Sequence, residues 1–158
     1  MTQTGGSLRS RTLVLQLGPM TRDIRPLADI ATGQHGAVTA RQVTDAGITS
    51  SGLRRRVQSG VLERVGSHIY RSPFAATSTM GDLTALVLDC GDDAFVSGPT
   101  AAALHGFDGF TLRSPFHVTI IRGRNVQRAH HHVHTTIALP LIDRATVLDL
   151  PVMSATRS

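Results

Sequence analysis

Apolar positions recur at helical spacing over residues 23–32, where Leu27, Ile30 and Ala31 share one face. Asp23 is a capping residue type, Pro26 is tolerated in a first turn, and Gly33 and Gly36 end the pattern. Thr39-Ala40-Arg41-Gln42 is a capping box, with a Thr cap and a Gln three residues on. The short helix that follows carries Val43 and Ala46 and stops at Gly47. A turn at Ile48 and Thr49 leads to a third helix over residues 50–59, with Gly60 as its stop. Two short helices joined by a tight, Gly-containing turn predict a helix-turn-helix. Residues 61–65 then predict a strand, Gly66-Ser67 a type II′ hairpin turn, and residues 68–71 the return strand. Three helices and a hairpin make the outline of a winged helix. Residues 72–78, with Pro73, form a linker.

The pattern changes after that linker. Residues 82–90 are amphipathic, with Leu83, Leu86, Val87 and Leu88 as the apolar part. Residues 94–97 predict a short strand, and Pro99 opens a small helix through Leu104. Residues 115–121 are a strand by β-branched content, residues 122–128 a basic loop, and residues 131–137 another strand. Residues 146–148 and 151–153 suggest one or two final strands. The expected class is α+β: a winged helix-turn-helix over 22–73, then a small mixed α/β unit over 79–158. That second unit looks truncated, because it stops at Ser158 with no closing helix. Residues 1–21 lack sustained periodicity and are expected to be a disordered tail.

Composition sharpens this outline. Of 158 residues 41% are apolar, enough for a core, and only 4% are aromatic, so that core must be built from Val, Leu, Ile and Ala. No apolar run is long enough to span a bilayer, the N-terminal apolar stretch is too short and polar for a signal peptide, and a cytoplasmic location is expected. The single Cys90 has no thiol partner and is expected to serve as a small buried side chain. Charge is unevenly spread. Residues 1–75 hold ten Arg against four acids, a net +6; residues 76–158 hold six Arg against seven acids, a net −1. Polyanion contact therefore belongs to the front half.

The three arginines Arg54, Arg55 and Arg56 lie in the third helix. At about 100° per residue, Leu53 and Val57 fall roughly 40° apart and define its buried side. Arg55 then points away from the core, with Ser51, Arg54 and Gln58 near it. These four can reach base edges in a major groove. Arg41 and Arg56 are placed for phosphates, and Arg64 and Arg71 on the wing for the backbone or minor groove. Thr39 and Ser50 at helix starts can add neutral phosphate contacts. A solvated helix face, or a winged helix that contacts protein, is the competing reading.

His130, His131, His132 and His134 crowd five positions, with His117 in the neighbouring strand. On one strand His130, His132 and His134 share a face and are weak candidates for a zinc or nickel site; an exposed strand edge is the plainer reading. His35 and His105, each before a glycine, fit helix ends. No Gly-rich phosphate loop, GxSxG elbow or HExxH motif is present, and the chain has no Lys for a nuclease-type carboxylate–Lys core. No catalytic residue and no cofactor is expected.

The string GQHGAVTARQVTDAGITSSGLRRRVQSGVLERVGSHIYRS, residues 33–72, resembles the N-terminal winged helix of AbiEi-type antitoxins of type IV toxin–antitoxin systems. VSGPTAAALHGF (96–107), PFHVTIIRGR (115–124) and LPVMSATRS (150–158) resemble the usual continuation, so the likeness covers about residues 23–158. It implies operator binding to double-stranded DNA, autoregulation, a nucleotidyltransferase-type toxin as partner, and no catalysis. His68 stands where a small residue is usual near the wing turn. Palindromic operators make a homodimer the expected assembly. Two alternatives stand beside this reading: a truncated DNA-targeting part of a longer restriction-endonuclease-like protein, and a His-rich metal-binding protein.

Overall fold

A computed structural model of the chain describes residues 25–72, 77–121 and 127–157. Three helices, α1 (Arg25–Gly33), α2 (Ala40–Asp45) and α3 (Ser50–Gln58), pack with three strands, β1 (Ala37–Thr39), β2 (Glu63–Arg64) and β3 (Ile69–Arg71). The strands form an antiparallel sheet of order β1-β3-β2, with Val38 opposite Tyr70 and Arg64 opposite Tyr70 on the other side. This is a winged helix. Its core is Leu27, Val38, Val43, Ile48 and Leu53, with Val57 and Leu62 packed against it. β1 was hidden in the sequence, because three residues are too few to show a period.

The hairpin differs from the expectation. Val61 and Leu62 do not extend the strand; their N–H groups bond back to the Arg56 carbonyl and finish the end of α3. Nor does Gly66 take the left-handed angle that a type II′ turn demands. The loop spans residues 65–68, and the Arg64 guanidinium holds it by donating to the carbonyls of Gly66 and Ser67. Glycine is needed at 66 for another reason. A Cβ there would lie 2.8 Å from the carboxylate of Asp89.

Asp89 belongs to α4 (Thr79–Cys90), which is followed by β4 (Ala94–Val96), α5 (Gly98–Leu104), β5 (His117–Ile121), β6 (His132–Thr136), a short 3-10 turn (Leu141–Asp143), β7 (Arg144–Val147) and β8 (Leu150–Met153). The strands form a mixed sheet of order β6-β5-β4-β8-β7. The β5–β6 and β4–β8 pairs are parallel, and the other two are antiparallel. The class is α+β. The final strands make a two-residue hairpin at Leu148 and Asp149, both with positive φ. His105 at the end of α5 ties that helix to β8, its Nε2 lying 2.7 Å from the Met153 carbonyl oxygen.

α4 begins three residues earlier than its apolar pattern suggested, at a Ser78 cap whose hydroxyl accepts from the Gly81 N–H at 3.0 Å. The helix is not simply amphipathic. Leu83, Leu86 and Val87 enter the larger core with Val96, Phe116, Val118 and Val152. Ala85 and Leu88 instead meet Ala37, Val65 and Ile69 from the winged helix. One helix is thus a wall shared by both sheets. Cys90 is half-buried against the larger core, and burial pushes its thiol up.

Two ion pairs anchor α4 to its surroundings, one to the winged helix and one to the segment before β6. Arg71 donates to Asp82 at 2.8 Å, with its own side chain only 14% exposed. Arg128 donates to both the side chain and the backbone carbonyl of Asp89, whose side chain is 5% exposed, and the His68 N–H donates to the same carboxylate. Expectations for residues 1–21, the Asp23 cap and most of the basic loop at 122–128 lie outside the described residues.

Asp89→Ala should cost about 2–4 kcal/mol, since it strands a half-buried guanidinium and a peptide N–H. Gly66→Ala should cost about 1–3 kcal/mol in the wild-type background. The two losses should be less than additive, because removing the carboxylate also removes the clash. Urea unfolding of both single variants and the double variant checks this.

Candidate nucleic-acid interface

The capping box forms as its spacing predicts. Thr39 Oγ1 accepts from the Gln42 N–H at 3.1 Å, and Gln42 Oε1 accepts from the Thr39 N–H at 2.9 Å. These bonds fix the start of α2 and use the Thr39 hydroxyl as an acceptor. Gly47 turns the chain in the left-handed region, where a side chain would be strained. Thr49 then caps α3, accepting from the Gly52 N–H at 3.1 Å, and its hydroxyl lies 3.1 Å from that of Ser51. This cap was not singled out in the sequence, although a Thr before Ser-Ser-Gly is a usable signal for it.

Leu53 is buried and Val57 half-buried, so α3 is anchored from behind. Ser51, Arg54, Arg55 and Gln58 are all exposed on the side away from that core. Neither Arg54 nor Arg55 has an ion-pair partner among the described residues. Ser50 is the exposed first residue of the helix. Arg41 projects from α2, 85% exposed, and lies 3.8 Å from Asp45 across one helical turn. So exposed a pair holds its guanidinium only weakly.

The remaining cations are employed otherwise. Arg56 folds back along its own helix, half-buried, and donates to the Gly52 carbonyl at 3.2 Å. Arg64 is exposed but clasps the wing loop. Arg71 is turned toward Asp82 on α4, away from the wing tip, so its guanidinium is committed to the seam.

Residues 25–73 match the family model described as "Transcriptional regulator, AbiEi antitoxin". Over these residues the chain is similar to AbiEi antitoxin regulators. The match spans α1 through β3 and ends where α4 has yet to begin. A search of curated proteins gave no match. The two helices of the helix-turn-helix and the wing all belong to the matched segment.

Outside the matched segment, the histidines are placed differently from the expectation. β6 begins only at His132, and His130 sits in the preceding turn with φ 68°, off the strand. The residue beside His132 and His134 is His117, one strand over. Its imidazole is pushed below its ordinary value, by burial first and then by the two neighbouring rings. His131 stacks on Phe116 with ring centres 5.3 Å apart, and burial lowers it too. No described helix is long and apolar enough to cross a membrane.

Thr49→Ala should lower stability by about 1 kcal/mol, the usual cost of an N-cap. Ser50→Ala, one residue on, should stay within roughly 0.5 kcal/mol of wild type, as a surface change without a capping bond. Shifts in the urea midpoint distinguish the two.

Proposed function

We propose that the chain is a DNA-binding, antitoxin-like autoregulator of a type IV toxin–antitoxin system. In this reading a unit over 22–73 binds double-stranded operator DNA. A second unit over 79–158 meets a nucleotidyltransferase-type toxin or a second copy of the chain, and neither unit catalyses a reaction. One observation carries the reading: α3 presents two guanidinium groups that have no ion-pair partner among the described residues, with Ser51 and Gln58 beside them, on the face opposite its buried anchors. A planar guanidinium offers two parallel donors to a guanine edge or to phosphate oxygens. The family match supports the same reading, since it covers the helices that bear these side chains.

Arg54 and Arg55 are the base-reading candidates, with Ser51 and Gln58. Arg41, Ser50 and the wing's Arg64 serve the phosphate backbone, and Thr39 acts by fixing the start of α2. Arg56 and Arg71 fall outside this surface because their guanidinium groups are engaged within the fold.

Affinity for the protein's own upstream DNA should fall steeply between two ionic strengths, as neutralised phosphates release counterions. Arg55→Ala should cost about 1–3 kcal/mol on operator DNA and narrow the operator-to-random ratio. Arg71→Ala should leave that ratio unchanged while lowering the unfolding midpoint. Fluorescence anisotropy with operator and scrambled duplexes measures all three, and a ratio indifferent to Arg55 sinks the assignment.

A further inference from the structure

β6 is an edge strand, and its parallel pairing with β5 sets His117 opposite His132 and Thr119 opposite His134. Residues two apart on a strand share a face, and residues paired across a ladder share it too. His117, His132 and His134 therefore form one imidazole group on one side of the sheet edge. The rings confirm it. His117 stacks on His132 with centres 4.4 Å apart and on His134 with centres 5.6 Å apart. His117 Nδ1 lies 3.4 Å from His134 Nε2.

We propose that His117, His132 and His134 bind a divalent transition-metal ion of the zinc, nickel or copper class at this edge. Two nitrogens held about 2.0–2.1 Å from a tetrahedral ion stand roughly 3.4 Å apart. That is the separation His117 and His134 already show. Here the spacing also admits an N–H···N hydrogen bond, which a tautomer shift opens by moving the proton to the other ring nitrogen. His132 is the ligand that must move. No three donors among the described residues yet surround a single point. Its side chain is exposed, however, so its stacked ring can swing toward the ion without disturbing the core.

Backbone pairing holds the strands that carry all three, and the facing rings of His117 and His134 turn so that their lone pairs converge on the ion. The His117 N–H is held by Thr100 Oγ1 at 2.9 Å, and five residue pairs join β5 to β6. An all-imidazole set with no carboxylate or thiolate suits zinc, nickel and copper and disfavours magnesium and calcium. The exposed side leaves the remaining coordination positions to water. His130, in the turn with φ 68°, is outside the group.

The test is calorimetric titration of the full-length, tag-free chain with zinc chloride in a non-chelating buffer. A single ion should bind with micromolar affinity. His134→Ala and His117→Ala should each weaken binding by roughly tenfold or more, while His130→Ala and His68→Ala should leave it unchanged. Copper(II) loaded on the wild type should show an electron paramagnetic resonance pattern from three imidazole nitrogens. Circular dichroism checks that each variant is folded; if His117→Ala is not, His134→Ala and His132→Ala decide, because both side chains are exposed. Absence of saturable binding, or binding indifferent to His134→Ala, overturns the site.

Discussion

The carboxylate of Asp89 is the point on which the arrangement of the two sheets depends. It lies almost wholly out of solvent and receives the Arg128 guanidinium on one side and the His68 N–H on the other. A buried carboxylate is tolerated only when its lone pairs are filled by donors. Both donors come from segments distant in sequence, one on the wing and one just before β6. Gly66 closes the arrangement by leaving out the atom that would collide with it. The orientation of the wing relative to α4 is therefore set by satisfying this charge and by the Arg71–Asp82 pair, with the small apolar contact of Ala37, Ile69 and Ala85 behind them.

That constraint explains how the arginines are divided. Arg71 is tied to Asp82 and holds the winged helix against α4, while Arg128 ties the segment before β6 to Asp89 of the same helix. Arg56 and Arg64 bond to backbone carbonyls and finish a helix and a loop. Arg54 and Arg55 are left with no acid nearby among the described residues, on a helix whose other face is held by Leu53. A basic front half is thus partly structural. Net charge overstates the cations that remain available to a polyanion.

The edge strand β6 follows a separate logic. The parallel register of β5 and β6 gathers three imidazoles at a sheet edge, far along the chain from the winged helix. Imidazoles in a row, rather than apolar side chains, also make this edge a poor template for pairing with further strands.

The local chemistry of the winged helix was legible in the residues themselves. The Thr39–Gln42 box, the Gly47 turn and the Leu53–Val57 anchor each act within a few residues, so spacing determines them. Most strands of the second sheet were readable for the same reason, from short β-branched runs. Long-range contact decided the rest. No period could reveal that α4 faces two cores, that Gly66 serves Asp89 instead of a turn, or that Arg71 is paired with Asp82. Nor could the run of histidines show that His117 joins the group and His130 leaves it, since strand register is fixed by the core beneath it. Sequence alone determined the helices, most of the strands and the outward helix face, because hydrogen bonds and side-chain periods there are local. Tertiary structure decided which charges stay free, because a charge's partner is chosen by what the fold brings beside it.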